Sequence, residues 1–165
     1  MDSQKQFVRV QMRWMIRRDM VEVLRIEQLS RDYPWGEEDF LRHMRQRNSI
    51  GMVAEMGEQV VGFIVYEFHK RKLYILNFAV HPDYLRLGIG TQMAKKLISR
   101  LSDDRWTRIV LEIRETNLDG QLFFREVGFR GTGVLREFYA DSGEDAFVFE
   151  YRLAQWPTKP AGAAR

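Results

Sequence analysis

Apolar positions change their spacing several times along this chain, and each change marks an element. Residues 8–16 alternate loosely between β-branched or aromatic residues and polar ones, which predicts a strand. From Asp19 the stripe Met20, Val23 and Leu24 takes helical spacing, so Asp19 reads as the N-cap of a helix running through about Gln28. The aromatic stretch Tyr33-Pro34-Trp35-Gly36 interrupts, and residues 37–47 predict a second short helix with Phe40, Leu41 and Met44 on one face. Residues 49–56 and 59–70 read as two strands of a hairpin turned at Gly57, and residues 71–80 as a further strand. Helical spacing returns over 90–101, where Met93, Leu97, Ile98 and Leu101 make the apolar face. The β-branched run 107–113 predicts a buried strand, and Asn117 caps a helix that ends at Gly128. Residues 129–135 and 145–153 close the chain as two strands around the turn ADSGED.

Strand, two helices, three strands, helix, strand, helix and two strands describe an α/β fold. Its predicted centre is a mixed sheet of about seven strands flanked by about four helices. One domain is expected over residues 1–153. Residues 154–165, rich in Ala, Gly and Pro, read as a flexible tail.

Composition narrows the function classes. The 165 residues are 45% hydrophobic and 30% charged, the profile of a soluble globular protein. Charges interrupt every apolar run near the N-terminus, so neither a signal peptide nor a membrane span is expected, and a cytoplasmic location is. With no cysteine, disulfides, thiolate zinc sites and a cysteine-bound acyl intermediate are excluded. His43, His69 and His81 lack ligand spacing and no Gly-x-Ser-x-Gly elbow occurs, so neither a metal nor serine-hydrolase chemistry is expected. The net charge of +3 comes from intermixed signs, so nucleic acid is not a required partner and a phosphate-bearing small molecule suits equally well.

The stretch AVHPDYLRLGIGTQMAKKL carries the first chemical signal. A glycine-rich turn that enters a helix offers unpaired backbone N–H groups and a partial positive charge, a natural seat for phosphate, and Gly88 and Gly90 stand at that point. The dinucleotide fingerprint needs a third glycine where Met93 stands, and the triphosphate loop needs Gly-Lys-Ser/Thr, so neither is present. On their own the glycines serve equally well as a plain strand-to-helix turn.

The neighbours extend the signal. Leu85-Arg86-Leu87-Gly88-Ile89-Gly90, after LNFAVHPDY and before LEIRETN, resembles the acetyl-CoA loop of the GNAT N-acetyltransferases, usually Gln/Arg-x-x-Gly-x-Gly/Ala. The likeness runs from about Met12 to Leu153 and includes IEQLSRDYPWGEEDF and VGFRGTGVLREFYADSGEDAFVFEYRL. Within that superfamily the chain is similar to the branch that acetylates protein N-termini, the ribosomal-protein-alanine type above all.

This resemblance implies a sheet splayed open in its middle, with acetyl-CoA in the gap as co-substrate, no metal, and a protein or peptide N-terminus as partner. It assigns cofactor contacts to Phe78, Ala79 and Val80 on one strand and to Arg86, Leu87, Gly88, Ile89, Gly90 and Thr91 in the loop. Asn117 matches a cofactor-contacting asparagine of the family and serves equally as a helix cap. Leu85 replaces the usual polar residue, which implies weakened rather than lost binding.

Acetyl transfer to an amine needs a neutral nucleophile, donors at the developing oxyanion and a proton for the departing thiolate. Glu112 in LEIR matches the family's general base, and a backbone N–H near Val80 is the expected oxyanion donor. An α-amine of pKa about 8, against about 10.4 for lysine, is the easier acceptor near neutral pH. Relatives carry a tyrosine as acid in a Leu-Tyr-x-x-x-Gly-Phe context; here Phe124 keeps the ring without the proton, leaving Tyr139, another tyrosine or a water. By resemblance Tyr33 and Trp35 on one side and Phe138 and Tyr139 on the other flank the acceptor, though each equally suits packing.

The expected activity is acetyl-CoA-dependent N-acetylation by direct attack in a ternary complex, on an α-amine such as that of a ribosomal protein. A small-amine acceptor (a polyamine or amino sugar) and a catalytically weak acyl-CoA-binding regulator are the alternatives. The chain is expected to act as a monomer or homodimer.

Overall fold

Seven strands hydrogen-bond in the order β1-β2-β3-β4-β5-β7-β6 to form one open sheet, in a computed structural model that describes residues 7–154. The strands are β1 (Gln11–Trp14), β2 (Ser49–Met56), β3 (Gln59–Phe68), β4 (Lys72–Val80), β5 (Arg108–Arg114), β6 (Arg130–Leu135) and β7 (Ala146–Arg152). The helices are α1 (Met20–Ser30), α2 (Glu37–Met44), α3 (Ile89–Ile98) and α4 (Leu118–Glu126). The mixed α/β sheet and its element order match the sequence reading. The expected tail lies outside the described residues except for Ala154.

Two apolar layers sandwich the sheet. On one face Val23 and Ile26 of α1 and Phe40 of α2 meet Val53, Phe63, Val65 and Ala79. On the other, Ile89, Met93 and Leu97 of α3 and Phe124 of α4 pack on Ile64, Tyr66, Leu73, Ile75, Ile109, Leu111 and Phe149. Burial alternates along β5, so the strand expected to be buried throughout shows one covered face while Arg108, Val110, Glu112 and Arg114 line the other.

Two features of β4 position the site. Among the described residues it makes the one parallel pairing, with β5, and that pairing covers just Lys72–Tyr74 against Arg108–Val110, beyond which β4 and β5 diverge. Strand β4 also bulges, because Tyr66 faces Ile75 while Val65 faces Asn77, leaving Leu76 as an extra residue. The bulge shifts the alternation: Tyr74 and Asn77 face the α1 side, and Phe78 and Val80 face the α3 and α4 side.

Asp19 departs from its expected role as a helix cap. Its carboxylate accepts from both Nη atoms of Arg13, each at 2.8 Å, and from the Ile16 N–H, instead of from the start of α1. A guanidinium on the neighbouring strand outcompetes a local amide because the bond is charge-assisted on both sides.

Candidate active site

The glycine loop enters α3 with an exposed rim. Gly88 takes φ +79°, the left-handed region that glycine reaches without a Cβ penalty, and caps the helix. Gly90 is closely approached: a Cβ there would stand 3.2 Å from the Phe123 ring of α4, which would have to give way by a few tenths of an ångström. The N–H groups of Ile89, Gly90 and Thr91 open the helix and have no carbonyl one turn earlier within it. Arg86 is exposed with φ +62°, and Leu85, at the position where relatives carry a polar residue, is 56% exposed. Gln92 steadies the loop by donating to the Gly88 carbonyl at 3.1 Å and by bonding the backbone of Val8 and Val10.

Backbone direction along β4 is fixed by two bonds. The His81 N–H donates to Val61 C=O across β3, and because strand amides alternate in direction, those of Val80 and Phe78 face the gap. The Phe78 carbonyl already accepts Arg31 Nη2 at 2.8 Å from that side. A helix start rich in N–H groups and a strand edge with unpaired amides suit an extended, phosphate-bearing ligand such as a coenzyme A thioester. Ala79, assigned to the cofactor by resemblance, turns its methyl into the α1 layer and is 6% exposed. Asn117 caps α4 through its Oδ1, which accepts the Gly120 N–H at 3.0 Å.

Glu112 sits across the mouth of the gap, half-buried on β5. The Tyr74 hydroxyl of β4 donates to its Oε2. Burial pushes its pKa above the ordinary glutamate range, partly offset by a local backbone hydrogen bond and by Lys72. A carboxylate held in this way is a proton acceptor suited to pH values near neutrality.

Tyr139 belongs to the same group. Burial lifts its phenol to about 12, helped by the charge of Glu112 and opposed by Arg114 and Arg31, so the hydroxyl keeps its proton at neutral pH. Its ring lies under the Arg114 guanidinium, 3.9 Å from ring centre to carbon, and Tyr33 stacks on the same guanidinium at 4.8 Å. Phe138, 46% exposed, meets Tyr139 edge-on.

Trp35 is not with them. Its ring stacks on His43 at 4.5 Å and abuts Phe40, while its backbone N–H donates to Glu27, so it anchors the α1–α2 loop to the core. The Phe124 ring is 5% exposed among Phe78, Phe123 and Phe129, with no hydroxyl to offer at the place where the resemblance implies an acid.

Several contributors escaped the sequence reading. Tyr74 and Arg114 stand on the same sheet face as Glu112, and two-residue alternation from Glu112 would have found Arg114 at once. Tyr74 needed knowledge of the strand pairing. The buried carboxylate of Glu27 accepts from Asn77 at 2.9 Å and from Arg31 and Trp35, a network that ties α1 to β4 beside the gap. Nothing local marks it, since Glu27 reads as an ordinary surface residue of a helix.

Among the described residues no group of three or more His, Cys, Asp or Glu side chains is arranged to hold a metal, and no helix is long and apolar enough to cross a membrane. Comparison with known proteins bears on the same surfaces. An N-alpha-acetyltransferase of Sulfurisphaera tokodaii is 28% identical over 145 residues, covering 79% of this chain and 85% of that protein. The [ribosomal protein bS18]-alanine N-acetyltransferase of Escherichia coli K12 is 26% identical over 132 residues, covering 79% and 88%. The crystal structure of Ard1 from Thermoplasma volcanium superposes with a TM-score of 0.80 at 26% identity, over 90% of this chain and all of that one. The Acetyltransferase (GNAT) family profile matches residues 13–129, spanning the splayed strands, the glycine loop and Glu112, and the chain therefore belongs to the GNAT acetyltransferase family.

Proposed function

We propose that this acetyltransferase uses acetyl-CoA in the cytoplasm to acetylate the α-amine of a protein N-terminus, of the kind a ribosomal protein presents. The observation that carries the reading is the carboxylate of Glu112, raised in pKa and held by Tyr74, at the mouth of a gap whose other side ends in the glycine loop.

The N–H groups of residues 87–91 hold the pyrophosphate of the coenzyme, and the backbone of Phe78 and Val80 pairs with its extended arm. When bound, the coenzyme supplies an activated acetyl thioester. Glu112, directly or through a water, takes the proton from the incoming ammonium, and the amine then attacks within one ternary complex; a chain without cysteine has no thiol to carry the acetyl group. The Val80 amide is the oxyanion donor. Tyr139, protonated at neutral pH, is the phenol available for the departing thiolate, since Phe124 has no proton to give.

Calorimetric binding of acetyl-CoA, followed on the same sample by thiol release with peptides and with small amines, tests the reading. Tight binding with peptide-dependent release is expected, and Glu112→Gln should lower turnover by about a hundredfold or more while leaving acetyl-CoA binding intact. Release with polyamines or amino sugars and not with peptides would move the acceptor to small amines. The buried Phe124 supports a second reading, a silent acyl-CoA binder; binding without release for any amine would select it.

A further inference from the structure

We propose that Arg114 is a positioning residue for the acceptor: packed on the rings of Tyr33 and Tyr139 and forked onto Asp141, it joins the two acceptor-flanking loops and sets acceptor affinity. The inference rests on the function proposed above.

Arg114 is the last residue of β5, two positions beyond Glu112 on the same face, and its backbone is paired to Ala146 of β7. Its side chain therefore leaves a rigid strand at the rim of the site. Nη1 and Nη2 donate to the two oxygens of Asp141 at 2.9 and 2.6 Å, Nη1 also reaches the Ser142 hydroxyl at 3.1 Å, and Glu144 lies at 3.5 Å. The aromatic faces complete the enclosure, with Tyr139 nearer than Tyr33.

The two loops are anchored independently elsewhere. Residues 31–36 are held from below by the bonds of Glu27 to Arg31 and to the Trp35 N–H. The 136–145 loop folds on itself, with the Gly143 N–H on Tyr139 C=O at 2.7 Å and the Glu137 N–H on Asp145 at 2.9 Å. Arg114 is bound to both, through Tyr33 of the first and Tyr139, Asp141 and Ser142 of the second. Its terminal nitrogens are committed to the loop, so its effect on the reaction passes through where Tyr139 and Tyr33 stand. A planar fork that binds at its edge and stacks on its faces is a task lysine cannot perform.

Steady-state kinetics on the full chain and hydrogen exchange of the same variants test this. Arg114→Met should raise KM for an acceptor peptide on the order of tenfold, the effect of losing one stacked, charge-assisted pair. Because Tyr139 is also the proposed proton donor, kcat should fall alongside the rise in acceptor KM, while the KM for acetyl-CoA should stay within about twofold. Arg114→Lys should not restore the acceptor KM, and Asp141→Asn should shift it in the same direction. Amide exchange should quicken over residues 31–36 and 136–145 and stay slow in β5 and α3. An unchanged acceptor KM would overturn the proposal, as would a fall in kcat with faster exchange throughout β5 and β7. If the wild-type chain acetylates no peptide, the function proposed above fails, and exchange decides the role of Arg114. Lost protection confined to the two loops then supports the frame, and unchanged protection overturns it.

Discussion

In the proposed reaction Glu112 is a base whose protonation is set by its surroundings. Its carboxylate is costly to ionise because it is half-buried, and the Tyr74 hydroxyl favours the ionised form by donating to it. A base must be deprotonated to act, so kcat/KM should fall as pH drops through a value above the ordinary glutamate pKa of about 4.3. Tyr74→Phe removes the donor and should move that acid limb to still higher pH; a pH–rate profile of the two proteins on one peptide reads the difference. Phe124 poses the complementary question. Packed among Phe78, Phe123 and Phe129 at 5% exposure, its ring is placed by the same aromatic cluster that would hold a tyrosine. Phe124→Tyr should raise kcat by up to about a hundredfold if proton delivery to the thiolate limits turnover. No gain in single-turnover thiol release would assign that step to Tyr139 or to water.

The elements themselves were largely legible. Two apolar, β-branched runs either side of Gly57 placed the hairpin of β2 and β3, and helical stripes placed α1 and α3, because each signal lies within one segment. What escaped depended on a second segment. Asp19 looks like a cap until Arg13 of β1 is brought beside it, and the packing of Trp35 is not legible until α2 places His43 under its ring. Arg114 carries no signal in its own strand, since its partners come from loops over twenty residues away. The glycine loop was legible because its demand is local: Gly88 needs a left-handed backbone whatever surrounds it. Gly88→Ala should destabilise the fold by about 1–2 kcal/mol. The same change should weaken acetyl-CoA binding, since the strain falls on the helix start that offers the N–H groups; denaturant unfolding and calorimetry check the two effects separately. Phe7 lies over Gly88 and is 74% exposed, so its ring has room to move and the strain resides in the backbone.

Charge pairs set at the sheet edge tie the outer strand to the rest. Asp19, 4% exposed, has its pKa lowered mainly by the Arg13 guanidinium, with burial opposing and the Ile16 N–H assisting. Because the folded carboxyl holds its proton less readily than the unfolded one at about 3.9, its contribution is full above that pH and is lost as pH falls through the lower folded value. Asp19→Asn should therefore cost about 1.5–3 kcal/mol at neutral pH and flatten the loss of stability below about pH 4. Urea unfolding across that range measures both. The extra residue at Leu76 acts at a larger distance. An unbroken strand would send Tyr74 and Phe78 to one face, and the base-holding phenol and the aromatic wall beside Phe124 would share a chamber. One inserted residue resets the phase, so a single strand addresses two compartments on opposite sides of the same sheet. Deleting Leu76 would leave every side chain's chemistry unchanged and exchange their addresses.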